Sequence, residues 1–586
     1  TELRGKKGRK LRMKTIIRYL KPFFGRMSIG LSIKITGTLI ELMIPYILSH
    51  ILKNVVAKES VKQILLWGLL MIACAAAACL FNICANRMAA KVSRDFSENI
   101  RHELFAHTLA LSASQTDRFT IPSLESRITT DTYNIHSFVG MMQRMGVRAP
   151  ILLIGGIAIT LFMDSFLALI MIAVLPFIFV TVYFISRKGV PLYSKVQKSV
   201  DKMIRVVRED SQGIRVIKAL SKNDYEHRRY DKANRSLSSD ERRAGIIMSS
   251  VNPVMTLLMN AGIVAVVAIS ASRVASHTSD PETVIAFMQY FTLISMAMMS
   301  VTRIFIMYTK SAASARRIAE IIETENDLPV RDEKDFPAVN SKNHIEFQNV
   351  SFSYKGKSNN LENISFSLPH GGTLGIIGAT GSGKSTLIKL LLRFYDVGAG
   401  NIRIDGKDIR TIPKERLYKM FGTAMQYDFL YADTIEENIK FGRELSHDDV
   451  VKAAKIAQAD DFISAFPEGY DHMLSQKATN ISGGQKQRVL ISRAVAAKPD
   501  ILILDDSSSA LDYKTDAALR RALKENMSGT TIVTVAQRVS SVKDSDLIIV
   551  LDEGKISGMG NHEFLLSTCP EYKEISDSQM GGAIVD

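Results

Sequence analysis

Six apolar runs of bilayer length lie in the first half of this 586-residue chain. A helix of about 20 residues crosses a hydrocarbon core about 30 Å thick. Four of the runs hold no Asp, Glu, Lys or Arg over at least twenty residues, and the other two contain Lys34 with Glu41 and Arg144 with Arg148. The sequence therefore predicts an α-helical transmembrane domain over 27–323, which excludes a purely soluble or disordered chain. Its six spans are expected at about 27–52, 64–86, 137–163, 165–186, 246–272 and 283–308.

The connections between the runs alternate in length, and the long ones are basic. Residues 1–26 hold ten Lys and Arg against one acid, and residues 187–245 hold sixteen against eight. Basic segments stay in the cytoplasm, so both termini and the long connections are expected there. The first run is too long for the apolar part of a cleavable leader. The net charge, 74 − 59 = +15, fits this membrane orientation and requires no nucleic-acid partner.

An acidic, proline-containing linker at 324–342 separates the spans from a predicted soluble α/β domain at 343–586. Its decisive segment is a short apolar strand ending at Ile377, a glycine-rich loop and an apolar helix. Such a loop points backbone N–H groups at phosphate oxygens, and the helix N-terminus adds its dipole. Lys384 would reach the β- and γ-phosphates and Ser385 the Mg²⁺. The predicted nucleotide-binding residues of this loop are Gly378, Ala379, Thr380, Gly381, Ser382, Gly383, Lys384, Ser385 and Thr386.

Two further segments of the α/β domain carry polar groups suited to phosphate chemistry. A second apolar strand ends in Asp505, where a carboxylate would hold Mg²⁺ beside the phosphate loop. Between the two strands, a Ser-Gly-Gly sequence precedes a helical pattern and offers another helix N-terminus for an anion. Its predicted nucleotide-binding residues are Ser482, Gly483, Gly484 and Gln485.

The ISGGQ stretch resembles the signature of ATP-binding cassette (ABC) proteins, since its Ser482 lies 23 residues before Asp505. Six spans followed by one such domain resemble a half-transporter of the type I exporter, multidrug-resistance-like fold. This resemblance covers nearly the whole chain and implies ATP and Mg²⁺ as cofactors. It also implies that Gln115 to Ser123 and Glu209 to Arg215 are short coupling helices that dock on the cassettes.

The resemblance implies roles for three more positions of the cassette. Tyr354 would stack on adenine, although an ordinary strand tyrosine is the alternative. Gln426 would contact both Mg²⁺ and the membrane arms, and therefore counts as a catalytic and a metal-binding residue. Residues 509–512 would cross to the partner cassette.

Two departures from the family pattern affect the attacking water. Asp506 stands where the family usually has Glu, and Gln537 stands where it usually has His. Asp is one methylene shorter, and positional errors near 1 Å can cost about a hundredfold in rate, while Gln cannot carry the charge of a histidine. This pattern resembles the degenerate subunit of a heterodimeric bacterial exporter in the plasma membrane. Its partner would be a second, catalytically competent half-transporter, whose ATP site this chain's signature completes.

The sequence indicates the transported substrate less clearly than it indicates the nucleotide site. Charged residues within spans are costly and therefore functional candidates, and flexible thioethers suit varied apolar ligands. Glu41 could attract a cationic substrate or pair with a base such as Arg144, and the methionines could simply face lipid. The resemblance implies multidrug efflux or export of amphipathic lipids or peptides, while a nucleotide-gated channel or regulator is the alternative class. The candidate substrate residues are Lys34, Glu41, Met296 and Met299.

Overall fold

The computed structural model describes residues 15–56, 61–275, 281–354, 356, 358–426 and 429–580. They belong to two compact units, Thr1–Leu109 with Ile121–Thr324, and Ala110–Thr120 with Glu325–Asp586. The predicted linker therefore belongs to the second unit. The first 14 residues of the predicted basic N-terminus and the last six of the chain lie outside the described residues.

The first unit is helical, and within the described residues six helical segments are long and apolar enough to cross a membrane. This confirms the predicted six-span architecture. At 1.5 Å per residue, the 50-residue helix of the second span is about 75 Å long, far more than a bilayer needs. The helices of the transmembrane domain and its connections are α1 (Phe24–His50), α2 (Val61–Ala110), α3 (Ala113–Phe119), α4 (Ile121–Ser126), α5 (Thr132–Met163), α6 (Ser165–Gln212), α7 (Ile214–Ala219), α8 (Asn223–Ser249), α9 (Val251–Ala275) and α10 (Pro281–Ile322). Short π-helical turns follow α1 at Ile51–Val55 and α4 at Arg127–Asp131.

The predicted fifth span is divided in the structure by a break at Ser250 between α8 and α9. Pro253 explains the position of the break, because a proline has no N–H to bond the carbonyl one turn earlier.

Small residues let three of the membrane helices approach closely. A Cβ on Gly155 of α5 would lie 2.6 Å from Leu42 of α1, and one on Gly156 would lie 2.9 Å from Ile294 of α10. The buried Tyr290 of α10 donates a hydrogen bond to the backbone oxygen of Leu42 at 2.7 Å. Because lipid is as apolar as leucine, such close packing and buried hydrogen bonds hold membrane helices together.

The second unit is the α/β domain that the sequence predicts. Its strands are β1 (Asn343–Phe352), β2 (Leu361–Pro369), β3 (Thr373–Gly378), β4 (Ala399–Ile404), β5 (Lys407–Asp408), β6 (Phe421–Ala424), β7 (Ile501–Asp505), β8 (Thr531–Val535), β9 (Leu547–Asp552) and β10 (Lys555–Gly560). Its helices after residue 343 are α11 (Lys384–Leu391), α12 (Lys414–Lys419), α13 (Ile435–Lys440), α14 (His447–Ile456), α15 (Asp460–Ser464), α16 (Gly483–Ala496), α17 (Tyr513–Asn526), α18 (Val539–Val542), α19 (His562–Thr568) and α20 (Pro570–Met580).

The strands form two sheets, and the larger one positions the candidate site. The smaller sheet has the antiparallel order β2-β1-β4-β5, and the larger has the order β10-β9-β3-β8-β7-β6. Strands β3, β6, β7, β8 and β9 run parallel, so their carboxyl ends lie at one edge. In register, Val535 of β8 is level with both Ile376 of β3 and Asp505 of β7. Ligands of parallel α/β sheets bind beyond such an edge.

The short helix α3 belongs to the α/β unit and corresponds to the first predicted coupling helix. Ser112 caps it through a capping box with Gln115. The Ser112 hydroxyl also donates to Asp327 at 3.0 Å, and the Gln115 amide donates to the backbone oxygen of Glu325 at 2.7 Å. The second predicted coupling segment spans the end of α6 and the start of α7 in the first unit.

Candidate nucleotide-binding site

The glycine-rich loop lies between β3 and α11, as the sequence predicts. Gly383 has φ +107°, and a Cβ there would lie 2.7 Å from Leu361, so the loop conformation requires glycine. The Lys384 ammonium donates to the backbone oxygens of Gly378 and Ala379 at 2.7 and 2.8 Å. Burial lowers the pKa of Lys384, and the charges of the two nearby aspartates oppose that shift.

The loop fits a chain of phosphate groups. It lines a cavity of about 190 Å³ together with the ends of β6, β7 and β8. Within the described residues, the buried Ser382 hydroxyl has no hydrogen-bond partner. A buried polar group normally has one, but Ser382 does not line the cavity, so a phosphate would instead contact the loop residues that do line it. Lys384 and the N-terminus of α11 would hold the charge of that phosphate.

The acid at the end of β7 fits a magnesium ion. Ser385 donates to Asp505 Oδ1 over 3.5 Å, which brings a hydroxyl and a carboxylate together, the oxygen ligands that Mg²⁺ prefers. Burial raises the pKa of Asp505, and the neighbouring Asp506 charge raises it further. Ser385 and Asp505 would hold a Mg²⁺ ion, which would supply positive charge against that of the phosphates.

The structure brings together the three residues predicted to be catalytic, of which Asp506 and Gln537 are the two predicted to handle water. The Gln426 and Gln537 amides each donate to the same oxygen of Asp506, Oδ2, at 2.9 Å. Asp506 itself has φ +52°, a left-handed conformation that Asp adopts more readily than most other residues. Two amide donors thus occupy the carboxylate oxygen that would otherwise be available to a water molecule.

Tyr354 lies where a base could stack beside the phosphate loop. Its ring is partly exposed, meets the ring of Tyr395 edge-on at 5.1 Å, and has the Lys389 ammonium 5.8 Å from its centre. Its hydroxyl is 3.4 Å from Thr386 Oγ1 at the start of α11. The position suits the predicted role of an adenine platform.

The signature residues do not line this cavity. Ser482 caps α16 through a capping box with Gln485, and both Ser482 and Gly483 are exposed at the surface. A Cβ on Gly484 would lie 3.0 Å from the backbone oxygen of Ala510, so Gly484 packs against the loop after β7. The capping box occupies the N–H groups of Ser482 and Gln485, and the start of α16 lies outside the cavity of this chain's own phosphate loop.

Sequence reasoning missed Tyr395, which follows α11. Its hydroxyl donates to Asp117 of α3 at 2.6 Å, and burial followed by the Asp117 charge raises the pKa of Tyr395. The same ring touches Tyr354, so one side chain joins the adenine platform to the first coupling helix. The only signal was an aromatic residue one turn beyond the phosphate-loop helix, and nothing in the sequence paired it with Asp117.

The four candidate substrate residues lie in different surroundings. Lys34 is buried, donates to Asn82 at 2.7 Å and to Asn86 at 3.2 Å, and lines a cavity of about 640 Å³. Glu41 pairs with Arg148 at 2.5 Å, rather than with Arg144. Met296 and Met299 of α10 are exposed and do not line that cavity.

Replacing Lys384 by Ala is expected to weaken ATP binding to this chain about 10- to 100-fold. The lysine supplies a charged hydrogen-bond donor in a half-buried loop, and such bonds contribute about 1.5–3 kcal/mol. Titration of the purified chain with a fluorescent ATP analogue and Mg²⁺ measures the effect. Lys498→Ala is the control, because Lys498 forms an exposed ion pair with Asp449 and should leave the affinity unchanged. Equal affinity in wild type and Lys384→Ala would contradict the assignment.

Comparison with known proteins places the chain among transporters. Residues 27–298 match the model of the ABC transporter transmembrane region, and residues 361–509 match the ABC transporter model. An uncharacterized ABC transporter ATP-binding protein of Bacillus subtilis, YfiB, is 34% identical over 97% of this chain and 99% of its own length. The putative ABC transporter ATP-binding protein exp8 of Streptococcus pneumoniae is 30% identical over 97% of both chains.

A solved structure has the same fold. A bacterial Atm1-family ABC exporter with ATP bound superposes with a TM-score of 0.81 at 24% identity, covering 95% of this chain and 98% of that one. The predicted fold class is thereby confirmed.

Proposed function

Because this chain belongs to the ABC transporter family and is an ATP-driven, multi-pass membrane exporter by fold, we propose that it is the hydrolytically impaired subunit of a heterodimer. Its phosphate loop and Tyr354 bind ATP with Mg²⁺ held by Ser385, Asp505 and Gln426. Its partner is a second half-transporter with a competent catalytic site. The positive-inside bias places the cassette and both termini in the cytoplasm of a bacterial cell.

The geometry around Asp506 carries the proposal that this chain's own site is impaired. A hydrolytic site needs a carboxylate oxygen free to orient water and a group that can exchange charge with the phosphate. Here, the shorter Asp506 side chain is held by two amides at 2.9 Å, and Gln537 replaces the family histidine. The site therefore holds nucleotide through many turnovers of the partner's site.

The exposed signature carries the proposal of a partner. Ser482 and Gly483 at the start of α16 are exposed and do not line the cavity of this chain's own phosphate loop. Preorganised donors at such a helix N-terminus stabilise the charge that develops on a γ-phosphate. They complete the ATP site of the second subunit, so this chain is needed for hydrolysis although it hydrolyses poorly itself.

The basic cavity among the membrane helices indicates the substrate class. It is lined by Lys34, Arg144, Arg148, Arg303 and His136, and no acidic residue of the described chain lines it. One lysine and three arginines give four positive charges, and Glu41, paired to Arg148, subtracts one. With His136 neutral, the net charge at the cavity is therefore 4 − 1 = +3. No acid of the described residues forms an ion pair with Lys34, Arg144 or Arg303. Lys34 is buried and the three arginines are partly or fully exposed to the cavity. Positive charge within the membrane spans attracts an anion, so the exported amphipathic compounds carry an acidic group.

A matched pair of compounds tests this substrate class. An amphipathic carboxylate should stimulate ATP hydrolysis by the reconstituted transporter, and its uncharged amide should stimulate it much less. Arg144→Gln should weaken the apparent affinity for the carboxylate about tenfold or more, since a charged hydrogen bond contributes about 1.5–3 kcal/mol. Lys91→Gln is the control, because Lys91 is exposed on α2 outside the cavity. Stronger stimulation by the corresponding amine than by the carboxylate would overturn the proposal.

A further inference from the structure

Two histidines and an aspartate meet at one end of the smaller sheet, away from any residue used above. His344 lies at the start of β1, His370 directly follows β2, and Asp405 directly follows β4. Strand register brings them together, because β1 pairs with both neighbours: Asn343 is opposite Pro369, and Ile345 is opposite Ile404. The pairing of the strands therefore places these three residues side by side, whatever the conformation of their side chains.

The side chains bring three metal-ligating atoms close together. The two imidazole rings stack at 4.0 Å with 13° between their planes. Asp405 Oδ1 lies 2.8 Å from His370 Nε2 and 3.9 Å from His344 Nε2. All three ligating atoms lie within 4.8 Å of one another, and within the described residues this is the one such group of three.

These distances are close to those of a coordinated ion. Zn²⁺ binds histidine nitrogen and carboxylate oxygen at about 2.0–2.2 Å, so tetrahedral ligand atoms lie about 3.4 Å apart. The distance from Asp405 to His370 is about half an ångström shorter than that, and the distance from Asp405 to His344 is about half an ångström longer. Because the two rings are nearly parallel, the exposed His370 ring would turn out of its stack on His344 to direct its nitrogen at the same ion.

The surroundings of the cluster also suit a metal. The Nδ1 atom of the buried His344 is 2.7 Å from the Thr531 hydroxyl, an outer partner of the kind that fixes the tautomer of a ligating histidine. His370 and Asp405 are 61% and 47% exposed, which gives an ion a path from solvent and leaves room for a water ligand. Two imidazoles and one carboxylate favour first-row divalent cations over Mg²⁺ or Ca²⁺.

We propose that His344, His370 and Asp405 are the ligands of a first-row divalent cation, and that this cation is Zn²⁺. The site joins the ends of three adjacent strands. The backbone oxygen of the neighbouring Gly406 accepts a hydrogen bond at 3.0 Å from the N–H of Val339, in the segment that enters the domain. An ion bound here therefore stabilises the point at which the predicted linker joins the sheet.

Zinc titration of the full chain tests the site. The protein is purified with a histidine-free tag, stripped of metal, and titrated against a chromophoric zinc chelator. We expect one high-affinity site per chain, weakened more than tenfold by His370→Ala and by Asp405→Ala, because losing a ligand costs more than losing an outer partner. Cobalt(II) should give visible absorption bands in wild type and lose them in both variants.

The variants are chosen so that folding does not decide the outcome. His370 is exposed, so its replacement should leave the metal-free melting temperature unchanged, whereas Asp405 has φ +51° and Ala there should lower it slightly. Zn²⁺ should raise the melting temperature of wild type and of neither variant. His447→Ala is the matched control, since His447 pairs with Glu436 at 2.7 Å in an exposed two-residue cluster. Zinc affinity that is equal in wild type, His370→Ala and Asp405→Ala would overturn the proposal.

Discussion

Arginine in place of Ser482 is expected to lower ATP hydrolysis by the assembled heterodimer at least a hundredfold. The serine hydroxyl and the N–H groups of α16 are proposed to bind the γ-phosphate of the partner's nucleotide. Losing one such donor typically costs about a hundred- to a thousandfold in rate, and arginine also adds bulk between two surfaces that must meet. Hydrolysis is measured on the tagged chain purified with its bound partner from native membranes.

A second serine in the same domain provides a control that distinguishes a loss of catalysis from a loss of stability. Ser446 caps α14 with a capping box of the same form as that of Ser482. Alanine at either position should cost about 1 kcal/mol of stability, but only Ser482→Ala should reduce hydrolysis strongly. ATP binding to this chain's own phosphate loop should persist in Ser482→Arg. The asymmetric model fails if Asp506→Asn silences the pair as thoroughly as Ser482→Arg.

Restoring the family residues at both water-handling positions is expected to raise hydrolysis at this chain's own site about a hundredfold. Glu at position 506 extends the carboxylate by one methylene toward the cavity, and positional gains near 1 Å have effects of this size. His at position 537 replaces an amide donor to Asp506 Oδ2 with a group that can carry charge. Because such residues act as a unit, Asp506→Glu or Gln537→His alone should give much less.

Hydrolysis at this chain's own site is measured most clearly in a heterodimer whose other ATP site, on the partner, is inactive. In a heterodimer that carries Ser482→Arg, the remaining activity comes from this chain's phosphate loop and the partner's signature. Adding Asp506→Glu with Gln537→His should restore hydrolysis, and adding Lys384→Ala should remove it again. If the double change leaves the rate unaltered, the impairment does not lie in these two side chains.

The membrane spans and the phosphate loop could be predicted from the sequence because each follows from local chemistry. A charge-free run of twenty residues needs a bilayer whatever surrounds it, and the loop from Gly378 to Ser385 needs only the strand before it and the helix after it. The role of Asp505 was predicted from the strand that it ends, and those of Asp506, Gln426 and Gln537 from family resemblance. Parallel strands then explain their meeting, since all four follow strand carboxyl ends at one edge.

Tertiary structure alone decided which partners the charged side chains have. Glu41 pairs with Arg148, 107 residues away, and Tyr395 donates to Asp117, 278 residues away. Three different strands position His344, His370 and Asp405, and the intervals between these residues in the sequence match no known motif. A membrane span or a phosphate loop is set by neighbours in sequence, whereas an ion pair, a basic cavity or a metal cluster depends on helix rotation and strand register, which the whole packed chain determines.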